Sequence, residues 1–169
     1  MGLTNNTVKL ENNYEKWKKM FEEEKNNLNK IFDNNSLKIE HVGSTAVKGL
    51  LAKPIVDIAI GLDSFEDIKI YENKLKEIYT FKENFKKNEI LLIKENKTET
   101  FFLIHILLVN DKRYQDMIKF RNILNNNKEI LKEYEDLKIT LSKKYANDRK
   151  MYTQSKNEFI TNILKNTNN

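Results

Sequence analysis

Cysteine is absent from this chain of 169 residues. Disulfides, a thiol nucleophile and a cysteine-built zinc site are therefore all excluded. Proline occurs once, at Pro54, and glycine only four times. No run of about 18 apolar residues exists, so no helix is expected to cross a membrane. The opening stretch, MGLTNNTVKLENNYEKW, lacks the apolar core of a secretory signal, and the expected location is the cytoplasm. Arginine is scarce too: of 30 basic residues, only Arg113, Arg121 and Arg149 carry a guanidinium. Where lysine is the default, an arginine is a candidate for a task that needs its planar fork.

The remaining composition suits one water-soluble domain over residues 1–169, with a core over about 12–165. Hydrophobic residues make up 39% of it and the mean hydropathy is −0.70. A net charge of +5 invites nucleic acid as a partner. However, 25 acidic residues are interleaved with the basic ones, as in YENKLKEIYTFKENFKK. No basic block or aromatic-basic strip stands alone, so the lysines read as solvated helix faces and nucleic acid is not the expected partner.

Apolar residues recur at helical spacing over 12–33: Tyr14, Trp17, Phe21, Leu28, Ile31 and Phe32. LKIEHV (37–42) and KPIVDIAIGL (53–62) read as strands. Asp63 or Ser64 caps a helix running to Ile78. Three β-like runs follow: YTFKENF, EILLIKE and TFFLIHILLV. The last is apolar on both faces, which predicts a central strand covered on two sides. Three helices complete the chain, capped by Asp111, by Asn127, and by Asn147 or Asp148. The sum is an α+β domain: a mixed β-sheet of about five strands, flanking helices and a C-terminal helical segment.

Residues 41–62, HVGSTAVKGLLAKPIVDIAIGL, hold three of the four glycines, the only proline and one of two histidines. Glycine lets a backbone approach a ligand closely, and amides ahead of a helical turn can cradle a phosphate. Ser44 and Thr45 add hydroxyls. Strand alternation places Asp57 on one face with Ile55 and Ala59. A carboxylate there is costly unless paired or metal-bound. From spacing alone the stretch reads equally as plain turns plus a salt-bridged acid. GSTAVKG is no Walker loop, since Gly-Lys-Ser/Thr is missing.

The long motif IEHVGSTAVKGLLAKPIVDI resembles the signature of the GrpB-like family, which is similar to a branch of the polymerase-β-type nucleotidyltransferase superfamily. YEKWKKMFEEEKNNL and the Phe-Arg, Tyr-x-x-Leu-Lys and Asp-Arg-x-x-Tyr-x-x-x-Lys elements of residues 120–156 extend the resemblance across nearly the whole chain. It implies a nucleotidyltransferase-like fold that binds a nucleoside triphosphate with a divalent metal. Gly43 and Ser44 would hold phosphates, and Asp57 would hold magnesium as the first acid of a pair. The second acid's place is Ala59, and the third acid's strand offers His105. Magnesium prefers oxygen ligands, so this departs from a two-metal site.

His105, in an apolar run, reads either as a functional group or as an ordinary buried histidine. His41, beside the turn, is a candidate phosphate donor or proton-transfer group. Arg149, Tyr152, Lys156, Phe159 and Ile163 fall on one helical face, which predicts an inward-looking face whose cations need an anionic partner. Ser44, Thr45, Lys53, Arg121, Arg149, Tyr152 and Lys156 then surround Asp57 in an electropositive pocket for a phosphate-bearing small molecule. Three functions fit it. They are nucleotidyl transfer to an acceptor, non-catalytic binding of a nucleotide or phosphorylated metabolite, and ligase-type chemistry on the same scaffold.

Overall fold

The structure is a computed structural model that describes residues 2–4, 6–33, 37–84 and 88–167. Its centre is a sheet of six strands among the described residues. They are β1 (Leu3–Thr4), β2 (Lys38–Val42), β3 (Val56–Leu62), β4 (Thr80–Asn84), β5 (Glu89–Glu95) and β6 (Glu99–Leu108). Their spatial order is β2-β3-β6-β5-β4, with β1 paired to the start of β6. β3 and β6 run parallel and every other pairing is antiparallel, so the sheet is mixed. The α+β expectation holds, with β1 as an additional short strand. Phe85, the end of the expected YTFKENF strand, lies outside the described residues.

One face of the sheet carries the main core. Helix α1 (Tyr14–Ile31) buries Trp17, Phe21 and Leu28, spaced so that they share one side. They meet Val56, Ile58 and Ile60 of β3 and Phe102, Ile104 and Ile106 of β6. Helix α2 (Ile68–Ile78) adds Leu75 to the same cluster. Ser64, not Asp63, caps the turn ahead of it, accepting from the Glu66 amide at 3.2 Å.

The opposite face is only partly covered. Helix α3 (Lys112–Asn126) lays Tyr114 over Val42, Ala59 and Leu107. A Cβ on Gly61 would lie 2.8 Å from the Tyr114 ring, so glycine is what lets this helix come so close. Further along β6, Leu103 and His105 are half-buried and line a cleft. The expectation that β6 is covered on both sides therefore fails there: alternation gave its apolar character, but the open face serves as a floor.

The C-terminal segment contains four helices among the described residues, α3, α4 (Lys128–Lys144), α5 (Arg149–Gln154) and α6 (Asn157–Asn166), where three were expected. Asp111, Asn127 and Asp148 are their caps. The extra boundary falls at Ser155–Lys156, where Ser155 and Asn157 are weaker helix formers than Gln154 and Lys156 beside them. Across it the face drawn through Arg149, Tyr152, Lys156, Phe159 and Ile163 divides. Phe159 and Ile163 pack with Phe120, Leu124 and Tyr134, whereas Arg149, Tyr152 and Lys156 line the cleft.

The main core contains one charged network. Glu24, 2% exposed, accepts from the Tyr79 hydroxyl and the Lys94 ammonium, both at 2.7 Å. Burial and the Glu24 carboxylate raise the Tyr79 hydroxyl far above its ordinary pKa. Removing the carboxylate leaves both donors without their acceptor. Glu24→Ala should therefore lower stability by about 1–3 kcal/mol, measured by urea unfolding.

Candidate functional site

The site is built around the turn that joins β2 to β3. Gly43 adopts φ +69°, in the left-handed region, and a Cβ there would lie 2.5 Å from Asp57 Oδ2. Glycine is thus required twice over, by backbone conformation and by the approach of the carboxylate. A short 3-10 turn, Ser44–Ala46, follows. In the sheet register Asp57 faces Val42 on one side and Leu103 on the other. Its side chain therefore belongs to the half-open face.

Above that face is an open cavity of about 610 Å³, walled in part by α4 and α5. Lys53, Lys138, Arg149 and Lys156 all line it, with Asp57 as the acid among its lining residues. Lys138 is buried and donates to the Leu51 carbonyl oxygen. Arg149 Nη1 reaches Thr100 Oγ1 at 3.3 Å. Tyr152, fully buried, is the platform between the remaining two: its ring centroid is 4.5 Å from Lys156 Nζ and 5.2 Å from Lys53 Nζ. Such contacts favour the ammonium form. The Tyr152 hydroxyl is buried with no hydrogen-bond partner among the described residues.

Electrostatics follow from this crowding. Burial, then the Lys156 and Arg149 charges, push the Lys53 ammonium down to about 7, with Asp57 opposing them. Burial lowers Lys156 to about 8, again against Asp57. Lys138 falls well below its ordinary value through burial and the charge of Lys156. Arg149 is lowered by burial as well. Taking an ion out of water costs several kcal/mol after relaxation. Asp57, the acid among the lining residues, does not compensate the cations around it, although Glu135 acts on Lys138 and Glu95 on Arg149 from outside the lining.

A second cavity of about 840 Å³ adjoins the first, sharing Ser44, Asp57, His105, Thr153 and Lys156 with it. Leu107, Met117, Phe120, Tyr134, Ile160 and Leu164 give it an apolar wall. The Tyr134 hydroxyl is raised above its ordinary pKa by burial, against a hydrogen bond with Ser44. At the junction, His105 Nδ1 lies 2.8 Å from Glu89 Oε1, and Arg113 stands 3.6 Å from the other oxygen of Glu89.

Gly43, Ser44, Thr45, Lys53, Asp57, His105, Arg149, Tyr152 and Lys156 are therefore brought together around the two cavities. His41 and Arg121 are not. His41 pairs with Ile58, on the α1 side of the sheet, and stacks on Phe21 at 4.8 Å. Its Nε2 is 3.0 Å from Thr45 Oγ1, and burial plus the Arg121 charge lower its pKa to about 4. At neutral pH it is an uncharged support for the turn. Arg121 Nη1 is spent on Glu40 at 2.7 Å and on the His41 carbonyl at 2.8 Å. Lys138, Glu89 and Tyr134 join the site without having been anticipated. Each carried a sequence signal: Tyr134 and Lys138 are the ends of the Tyr-x-x-Leu-Lys element, and Glu89 is an acid opening an apolar strand.

The donor set does not fit a resident two-metal centre. Ala59 is fully buried against Tyr114 and Val42, in an apolar cluster where a second carboxylate would be desolvated. Asp57 is surrounded by ammonium groups that compete with a metal for its charge. Among the described residues no group of three His, Asp or Glu side chains is placed to hold an ion.

Residues 7–166 match the family described as GrpB protein. The glutamate-rich protein GrpB of Alkalihalophilus pseudofirmus is 37% identical, over 97% of this chain and 98% of that protein. The crystal structure of conserved protein GrpB from Enterococcus faecalis superimposes with a TM-score of 0.80 and 30% identity, over 89% of this chain and 91% of that one. A more distant neighbour is Cid1, at a TM-score of 0.49 and 13% identity over 76% of this chain and 38% of that chain. The motif around Gly43, the mixed sheet and the cationic cleft are thus features of a GrpB protein: the chain belongs to the GrpB family.

Proposed function

We propose that the cleft binds a phosphate-bearing small molecule, with a nucleoside triphosphate as the first candidate. The observation that carries this reading is the charge surplus: Lys53, Lys138, Arg149 and Lys156 converge on the single carboxylate of Asp57 in one cavity. A phosphate chain supplies the missing negative charge and accepts charge-assisted hydrogen bonds from several donors at once. The Gly43–Ser44 turn stands at the junction with the apolar cavity, whose Phe120 and Tyr134 suit the flat, weakly polar part of a nucleoside. Magnesium, in this reading, reaches the cleft on the triphosphate it accompanies.

Nucleotidyl transfer is the second reading, and Asp57 is the observation behind it. It is a half-buried acid held against the glycine turn, where the resemblance puts the first acid of the superfamily. Pyrophosphate release that depends on Asp57 separates transfer from binding alone. An Asp57→Asn variant that releases pyrophosphate at the parent rate would remove transfer at this carboxylate.

The test of binding is calorimetry with inorganic tripolyphosphate and with nucleoside triphosphates, each with and without magnesium. A ligand at roughly a hundredfold excess over its dissociation constant should stabilise the protein by about 2.7 kcal/mol. Lys156→Ala should weaken binding by about 1–3 kcal/mol. If that variant loses stability while its affinity stays intact, the ammonium is a structural group only.

A pH signature follows from the depressed lysines. In the free protein Lys53 titrates near 7 and Lys156 near 8, against an ordinary 10.5. A bound phosphate favours the ammonium form, so between about pH 7 and 9 binding should take up protons. Calorimetric heats in that window should then depend on the ionisation enthalpy of the buffer, and affinity should fall as pH rises. Stability of the free protein should change in the other direction. The unfolded chain binds more protons up to 10.5, so stability should increase with pH over this range.

A further inference from the structure

We propose that Lys53 is a nucleophilic amine, placed to form an imine with a phosphorylated aldehyde or ketone whose phosphate rests among Lys138, Arg149 and Lys156. The inference rests on the cationic cavity being a phosphate site, and not on any nucleoside in the neighbouring one.

Among the described residues five cations line the cavity; Lys150 is exposed, and the nitrogens of the other four are differently committed. Lys138 is buried and bonded to the Leu51 carbonyl. A guanidinium stays protonated at any accessible pH, so Arg149 is no nucleophile. Lys156 sits closer to the Tyr152 ring, at 4.5 Å, where the ring face favours its charge. Lys53 is farther from the ring, at 5.2 Å; like Lys156 it is half-buried, lines the cavity and donates no side-chain hydrogen bond among the described residues. A lysine beside other cations in a partly dry pocket is a known route to an activated amine, and its pKa near 7 agrees with that.

The backbone under Lys53 is also fixed. Ala52 before it pairs with Glu11, and Pro54 after it is buried. The Ile55 amide donates to the Lys53 carbonyl at 2.7 Å. The amine thus projects from a rigid wall toward the remaining cations. The Tyr152 hydroxyl, buried without a partner among the described residues, is left for a ligand oxygen.

The chemistry balances without a further reagent. Lys53 Nζ adds to the carbonyl carbon, the amine proton passes to the carbonyl oxygen, and the carbinolamine loses water to leave a C=N bond. Nothing is oxidised or reduced.

Pyridoxal 5′-phosphate and its phosphate-free analogue pyridoxal are the probes, used on the full chain. The imine is followed by absorbance, fixed with borohydride and located by peptide mapping. The expected result is an adduct on Lys53 that forms about tenfold faster with the phosphorylated aldehyde, the ratio that one charge-assisted contact supplies. Inorganic tripolyphosphate should suppress it, and a folded Lys53→Arg variant should lack it. An adduct on Lys156, Lys138 or scattered surface lysines, or none at all, would overturn the role of Lys53 while tripolyphosphate binding could still stand. Equal labelling by both aldehydes, indifferent to tripolyphosphate, would overturn the phosphate site itself.

Discussion

Everything about the cleft depends on an imbalance of buried charge. Lys53, Lys138, Arg149 and Lys156 line a partly desolvated space with one lining carboxylate among the described residues, Asp57; beyond it Glu135 and Glu95 add opposing charge, at Lys138 and Arg149. A protein can relieve such an imbalance in two ways: ammonium groups can release their protons, or an anion can enter. The lowered values of Lys53, Lys138 and Lys156 are the first response, seen without a ligand. Binding a phosphate would be the second. Asp57 is the acid common to the cluster, since its charge opposes the lowering at each of these lysines; Glu135 opposes it further at Lys138, and Glu95 at Arg149.

The fold divides its two sheet faces between stability and this site. Trp17, Phe21, Leu28 and the strand residues facing them form a continuous apolar core on the α1 side. The other face is closed only where Tyr114 meets Gly61 and Ala59, leaving Asp57, Leu103 and His105 open. The C-terminal helices pack into a second apolar cluster around Phe120, Leu124 and Tyr134 and stand as a wall beside the open face, which leaves a cavity there. The break at Ser155–Lys156 serves that geometry. It turns Tyr152 and Lys156 toward the cavity while Phe159 stacks on Tyr134 at 5.4 Å. Ala59 completes the distinction from a two-metal centre, because the position of a second acid is part of the packing under α3.

Much of this was legible in the sequence, for definite reasons. The concentration of glycine and proline in 41–62 marked the turn, and the lone acid in an apolar strand marked Asp57. Arg149 and Lys156 stood out as cations on an otherwise inward face. His41 was misplaced although the signal existed: it alternates with Ile39, a core residue, so it had to face α1. Arg121 was misjudged because its partner Glu40 lies 81 residues away, beyond any local pattern. The burial of Lys138 is hidden for a related reason. It ends the Tyr-x-x-Leu-Lys element, but only the docking of α4 against Leu51 buries it. The helix break was hidden because apolar spacing continues through it.

The central claim is that the cluster is arranged for an anion at a cost to the free protein. The most direct measurement is the unfolding free energy of ligand-free Lys156→Met and Lys53→Met at pH 7, which keep each stem against Tyr152 and remove only the charge. Our account predicts that each substitution raises stability, and that the pair raises it less than the sum, since each relieves the same repulsion. Loss of stability in both single variants would contradict it, and would make the cations structural partners of Asp57 instead of a cluster arranged for phosphate.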